Sequence, residues 1–239
     1  MRVSKGFEFE SVSFEPNGVP VLRDVSLTIP GRGVTVIAGP SGSGKSTLLR
    51  MGNRLEVPTR GRVLLDGVDT ASLDPLALRR RCGMVFQHPV RFGGTAADNL
   101  RVARPEATDT ELGAALERVW LGRDLLERQA DDLSGGEAQR MCIARTLLTE
   151  PSILLCDEAT SALDVDARSA IEELVVRLAE SGTAVVWVTH DLHQAQRLGD
   201  RVAVIIGGRV VPTAVAERCL AQGTFEGLPL DPGSHNGND

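Results

Sequence analysis

The stretch Gly39-Pro40-Ser41-Gly42-Ser43-Gly44-Lys45-Ser46-Thr47 decides how the rest of the chain is read. It follows the β-branched run Val34-Thr35-Val36-Ile37 and leads into Ser46 to Arg54, which has helical character. Glycines let the backbone wrap so closely that successive N–H groups converge on one anion. The helix that follows adds its positive N-terminal end. GxxxxGK[ST] between a strand and a helix is therefore a phosphate cradle, and all nine residues are expected to line a nucleotide. Lys45 is placed to reach the β- and γ-phosphates, and the Ser46 hydroxyl to coordinate Mg²⁺. A Gly-Ser linker that happened to contain a lysine would lack the flanking strand and helix.

Outward from this loop, apolar runs recur at Arg62 to Leu65, Met84 to Phe86, Ile153 to Cys156, Ala184 to Val188 and Val202 to Ile206. Helix-like segments lie between them: Leu76 to Arg81, Asp109 to Val119, Glu137 to Leu148, Ala167 to Glu180 and His193 to Leu198. Buried strands alternating with helices predict an α/β fold around a largely parallel sheet. The first thirty or so residues differ, reading as short strands with a Pro16-Asn17-Gly18 turn. Residues from about 89 to 136 hold no convincing strand and read as a helical insertion. The Gly, Pro, Asn and Asp of residues 223–239 read as a disordered tail.

A second constellation is the run Ile153-Leu154-Leu155-Cys156 ending in Asp157-Glu158. A strand buried on both faces delivers such carboxylates to the C-terminal edge of the sheet, where open α/β sheets bind ligands. Asp157 is expected to orient Mg²⁺ or its water, and Glu158 to act as general base toward an attacking water. An apolar run ending in two acids is weak alone. The phosphate loop 112 residues before Asp157 gives it a partner.

The third is Leu133-Ser134-Gly135-Gly136-Glu137-Ala138-Gln139-Arg140. Ser134 and Glu137 have capping-box spacing, which explains part of the segment. It does not explain two consecutive glycines, which expose N–H groups at a helix start and offer a second anion site.

This last segment resembles the signature of the ATP-binding cassette (ABC) family. Gln87 matches that family's Q-loop, Ser161-Ala162-Leu163-Asp164 its D-loop and His190 its switch histidine, so the resemblance runs from about residue 7 to 211. It implies a P-loop NTPase core with an N-terminal antiparallel β subdomain and an inserted helical subdomain, together an ATPase domain over 1–222. It implies ATP as substrate and Mg²⁺ as cofactor, the metal held through Ser46, Gln87 and Asp157. Lys45, Gln87, Glu158 and His190 become the catalytic group, with His190 supporting Glu158 and contacting the γ-phosphate. In the family, two cassettes pack head to tail, so Ser134, Gly135, Gly136 and Glu137 would face the nucleotide of a second copy, with Asp164 at the dimer interface. Both halves of the site are present here, so a homodimer is expected to be complete.

One departure stands out. The family stacks adenine on an aromatic, often Tyr, ahead of the phosphate loop. Here that segment reads Val12-Ser13-Phe14-Glu15-Pro16-Asn17-Gly18 with Glu15 at the position, and the 239 residues contain no Tyr. Such stacking is worth on the order of 1 kcal/mol, so weaker ATP affinity or looser base selectivity follows.

Composition bounds the rest. The formal charge is −6, which argues against a nucleic-acid partner. No apolar run approaches the length of a bilayer span, the N-terminus MRVSKGFEFE has no secretory character, and the four cysteines are widely spaced without a CxxC. The chain is therefore expected in the cytoplasm, and the resemblance implies that it sits peripherally on the inner membrane face through a separate integral permease. The 47 residues from Gln87 to Ser134 leave no room for a long coiled-coil insertion. Met141 to Arg145, Ser161 to Asp164 and His190 to Gln196 look like phosphate-importer ATPases. The Phe92-Gly93-Gly94-Thr95 region and Val186 to His190 look equally like metal or iron exporters. A soluble regulatory ATPase and a P-loop kinase remain open alternatives, the kinase leaving residues 133–139 unexplained.

Overall fold

The computed structural model describes residues 4–161 and 163–226. In chain order the strands and helices are β1 (Gly6–Phe14), β2 (Leu22–Pro30), β3 (Val34–Ala38), α1 (Lys45–Gly52), β4 (Arg60–Leu65), β5 (Val68–Asp69), α2 (Pro75–Arg81), β6 (Cys82–Val85) and α3 (Ala96–Arg101). They continue with α4 (Asp109–Arg118), α5 (Gly135–Leu147), β7 (Ile153–Asp157), α6 (Val165–Glu180), β8 (Ala184–Thr189), α7 (Leu192–Leu198), β9 (Arg201–Ile206), β10 (Arg209–Val210) and α8 (Thr213–Gln222).

The strands form two sheets. An antiparallel sheet has the order β2-β1-β4-β5, and a second runs β10-β9-β3-β8-β7-β6. In the second, β9, β3, β8, β7 and β6 are all parallel, and β10 adds an antiparallel edge. Side chains alternate across a strand, so each central strand feeds two cores. On β8, Val185 and Trp187 face the layer built with α5, α6 and α7, while Ala184, Val186 and Val188 face the layer shared with α1 and the antiparallel sheet. Burial on both faces is why these strands read as unbroken apolar runs.

The N-terminal strands obey a broken alternation. Phe9 and Val12 are both buried, although three residues apart, because Ser11 takes φ 48° and the β1–β2 register shifts there. Such a bulge turns the strand without losing its apolar face. Between β6 and α5, the described residues form α3 and α4 plus two 3₁₀ turns, Arg123–Glu127 and Ala130–Asp132. Their buried side chains, among them Leu100, Leu112 and Leu116, are continuous with the core under α5.

Several boundaries differ from expectation. Helix α5 starts at Gly135, two residues before Glu137, because Ser134 caps it and the glycines occupy its first turn. The Asp109 helix stops at Arg118, where Val119 is already non-helical and Trp120 is left-handed at φ 54°. Helix α8 over Thr213–Gln222 and the short edge strands β5 and β10 lie outside the expected elements. Of the stretch expected as a disordered tail, Gly223 forms the left-handed cap of α8, and residues 227–239 lie outside the described residues.

Candidate nucleotide-binding and hydrolysis site

The loop between β3 and α1 is held in place by backbone geometry. Gly42 and Gly44 adopt φ 75° and 98°, where side chains are disfavoured. A Cβ on Gly39 would lie 2.2 Å from the Ile205 carbonyl, so only glycine lets the loop pass so close to β9. Lys45 is buried, and its Nζ donates to the Pro40 carbonyl at 2.8 Å, folding the side chain back over its own loop. Burial pushes the Lys45 ammonium below the ordinary lysine value, while the Glu158 and Asp157 carboxylates pull it back up. The Ser43 hydroxyl is buried without a hydrogen-bond partner among the described residues. An orphaned donor inside an anion cradle fits a ligand oxygen.

Strand β7 brings its acids to the same edge. Asp157 is buried, and its Oδ1 accepts from the Ser46 hydroxyl at 2.6 Å. Its Oδ2 faces Arg50 Nη2 at 3.3 Å. A hydroxyl and a carboxylate side by side are hard oxygen donors of the kind Mg²⁺ takes alongside substrate phosphates. Among the described residues no group of three or more His, Cys, Asp or Glu could hold a metal alone. The donor set therefore fits a metal that arrives with a nucleotide.

Glu158 stands just past the strand with φ 45°, a left-handed conformation uncommon for a side-chain-bearing residue. Its N–H donates to the Val188 carbonyl at 3.2 Å. Its Oε2 lies 3.1 Å from His190 Nδ1 and accepts from Gln87 Nε2 at 3.4 Å. Gln87 also donates to the Ser161 hydroxyl at 3.2 Å. Gln87, Glu158 and the loop residues Ser41, Gly42 and Gly44 to Thr47 line one open cleft of about 360 Å³, together with Val21.

The expected residues thus fall into two sets. Lys45, Ser46, Gln87, Asp157, Glu158 and His190 converge, through the contacts just described. Ser134, Gly135, Gly136 and Glu137 do not line that cleft. They open α5 with a complete capping box: the Ser134 side chain accepts from Glu137 N, and Glu137 Oε2 accepts from Ser134 N at 2.8 Å. That backbone bond holds the Glu137 carboxyl below its ordinary value, against a smaller opposing effect of burial. Gly135 has open space around its α-carbon. Asp164 is exposed and caps α6, its Oδ1 accepting from Ala167 N at 2.8 Å.

Three contributors escaped the sequence reading. Arg50 pairs with Asp157; its signal was its place one helical turn after Ser46, on the same face of α1. Buried Gln139 donates to the Phe86 carbonyl at 2.9 Å, tying the interior of α5 to the residue before Gln87. Val21 enters the cleft from β2's approach, and nothing local marks it. Phe14, beside Glu15, is half-buried against the core under the antiparallel sheet, and Glu15 is exposed.

Known proteins resemble this chain in sequence and fold. The family model described as ABC transporter matches residues 22–161. The rice (Oryza sativa subsp. japonica) protein STAR1 is 48% identical over 82% of this chain, which spans 58% of STAR1. The methionine import ATP-binding protein MetN of Caulobacter vibrioides is 43% identical over 88% of this chain and 67% of its own. Among solved structures, cbiO1 from Clostridium perfringens, part of the ABC transporter complex cbiONQ, superposes with a TM-score of 0.79 at 27% identity, covering 91% of this chain and 93% of cbiO1.

Proposed function

The chain belongs to the ABC transporter family and is an ATPase domain of that family, and from this premise we propose that it binds and hydrolyses ATP to drive transport through a separate membrane permease. The convergence of Lys45, Ser46, Asp157, Glu158, Gln87 and His190 on one sheet edge carries the reading. We assign the ATPase domain to residues 1–222, with roughly 89–136 as its helical part.

In the proposed reaction, the loop N–H groups and Lys45 hold the β- and γ-phosphates, releasing the ammonium from the Pro40 carbonyl. Ser46 and Asp157 would hold Mg²⁺, with Gln87 nearby. When bound, the metal would supply neutralising charge to the phosphates. Glu158 accepts the proton of the attacking water, and His190 keeps that carboxylate oriented. Gln87, bonded to Glu158 and Ser161, places the water in line with the bond being broken. A second copy of the chain, packed head to tail, would bring Ser134, Gly135, Gly136 and Glu137 over the γ-phosphate, and Asp164 to the interface. The uncrowded Gly135 supports such an approach.

The permease is supported by a groove of about 270 Å³ beside Gln87, lined in part by Phe86, Val90, Phe92 and Arg145. Phe86, Val90, Phe92 and Val102 leave apolar surface exposed there. Among the described residues no helix is long and apolar enough to cross a membrane. Peripheral attachment to the inner membrane face through that permease follows from this assignment. Phosphate import and metal or iron export are the two cargo proposals, drawn from the likeness at residues 141–145, 190–196, 92–95 and 186–190.

Phosphate release by the purified chain with Mg²⁺-ATP tests the ATPase, and co-purification with a permease tests the coupling. Turnover stimulated by nucleic acid, with no membrane partner recovered, would overturn the transport reading.

A further inference from the structure

Four residues beyond His190, the buried Gln194 side chain on α7 makes three hydrogen bonds. Its Oε1 accepts from Trp187 Nε1 at 3.1 Å, and its Nε2 donates to Thr160 Oγ1 at 3.0 Å and Glu172 Oε1 at 2.7 Å. These partners belong to different elements. Trp187 lies on β8 three residues before His190, Thr160 in the turn two residues after Glu158, and Glu172 on α6. Glu172 is in turn held by Arg197 Nη2 at 3.1 and 3.2 Å. The site demands an amide, because residue 194 must accept from an indole N–H and donate to a carboxylate.

We propose that Gln194 is a positioning residue for hydrolysis, setting the separation of Glu158 and His190. The proposal rests on the ATPase reading above. One side chain is bonded to the turn that carries Glu158 and to the strand that leads into His190. The α7 end of the device is fixed as well, since Asp191 Oδ1 accepts from His193 N and Gln194 N. Glu158 needs such restraint. Its left-handed backbone is not a conformation the residue holds by itself, and the turn after it is secured by Ser161 N donating to the Glu158 carbonyl at 3.1 Å. Gln194 adds a tether from outside the cleft that Glu158 lines. Without it, the 3.1 Å contact between Glu158 and the exposed His190 side chain loses one of its anchors.

The charged groups around residue 194 are Glu172 and Arg168 on α6, Arg197 on α7, and Asp191, His190 and Glu158 at the shared cavity of about 80 Å³. β8 contributes only the uncharged Trp187 and Thr189. Placing a carboxylate at 194 would therefore set two acids within hydrogen-bonding reach, with Arg197 as their direct counter-charge. Two carboxylates so close repel each other once both ionise.

The test uses the full chain and three variants, Gln194→Leu, Gln194→Glu and Gln194→Glu with Glu172→Gln, measuring kcat, nucleotide affinity, Tm and the pH profile. Gln194→Leu is expected to lower kcat about tenfold or more while nucleotide affinity stays within about twofold, as for a group that acts on geometry and not on binding. Gln194→Glu is expected to gain a limb absent from the wild type, with kcat falling as the pH rises through the upper apparent pKa of the acid pair. Adding Glu172→Gln exchanges donor and acceptor, and should remove that limb and recover kcat. If Gln194→Leu does not fold, the Gln194→Glu profile decides alone. A Gln194→Leu kcat within about twofold of wild type overturns the proposal, as does a Gln194→Glu enzyme without the limb. A wild-type chain that releases no phosphate would instead refute the ATPase reading.

Discussion

Ser46 and Asp157, 111 residues apart in sequence, share a 2.6 Å hydrogen bond at the edge of the parallel sheet. The bond joins the first turn of α1 to the last residue of β7, so the phosphate loop and the acidic strand end form one unit. On the other side of the carboxylate, Arg50 supplies a positive charge at 3.3 Å. A buried carboxylate is tolerated when it is paired and hydrogen-bonded, and Asp157 has both kinds of partner without a metal. Replacing it with Asn removes the charge a metal would bind but keeps a hydrogen-bond acceptor for Ser46. Asp157→Asn should raise the Mg²⁺ concentration for half-maximal turnover about tenfold or more, consistent with 1.4 kcal/mol per decade. Chelating Mg²⁺ with EDTA should stop hydrolysis in the unmodified chain. Mg²⁺ titration of phosphate release checks both.

Among the described residues, Glu158 is the only carboxylate placed against both His190 and Gln87. Glu158→Gln keeps the size and the hydrogen-bonding capacity of the side chain and deletes the proposed base. Turnover should fall by about 10² to 10⁴-fold, while nucleotide binding persists. An ATP-bound dimer should then accumulate and elute earlier in size-exclusion chromatography with Mg²⁺-ATP. Full retained hydrolysis would remove Glu158 from the mechanism.

Three helices of the middle of the chain begin with complete capping boxes, Thr95 with Asp98, Thr108 with Glu111, and Ser134 with Glu137. In each, backbone and side-chain hydrogen bonds to the Thr or Ser hold the acid's pKa below its ordinary value. A depressed carboxyl contributes stability that is complete above the unfolded value and is lost as the pH falls through the folded one. Thermal stability should therefore decline below about pH 4.5, the upper end of the ordinary carboxylate range. Substituting Gln for Glu137 should flatten part of that decline. Ser134→Ala should cost about 1 kcal/mol at neutral pH, read as a lower Tm.

The cleft mouth offers Val21 in place of an aromatic platform, since Phe14 packs into the core and Glu15 is exposed. An aliphatic side chain can touch a purine face but carries no group that reads its edge. GTP turnover should fall within about tenfold of ATP turnover, a 1.4 kcal/mol margin. Competition between the two nucleotides in a phosphate-release assay checks this, and a strong ATP preference would mean another side chain grips the base.

What could be read before the structure, and what could not, divides along physical lines. Gly39 to Thr47 was legible because a loop that wraps phosphate must be written in glycines at fixed spacing. Asp157 and Glu158 were legible because a strand buried on both faces cannot hide where it ends. Gln87 and His190 were legible only through family likeness, since a lone amide or imidazole after a strand announces nothing. Arg50 and Gln194 lie within helices, where polar side chains are ordinary, and their partners come from elements more than 100 and up to 34 residues away in sequence. Helix α8 was hidden for another reason. It follows a two-residue edge strand, with Pro212 at its cap and few buried residues, so its periodicity is faint.

The left-handed backbone at Glu158 has a consequence for how this chain can drift. For an L-residue that conformation costs roughly 1–2 kcal/mol, and glycine escapes most of it. Replacing Glu158 with Gly would relax the backbone and delete the acid in a single step. Selection for folding alone would therefore favour losing the carboxylate at this position. A relative of this chain that kept its nucleotide cradle but served only as a scaffold would be expected to have surrendered this residue first.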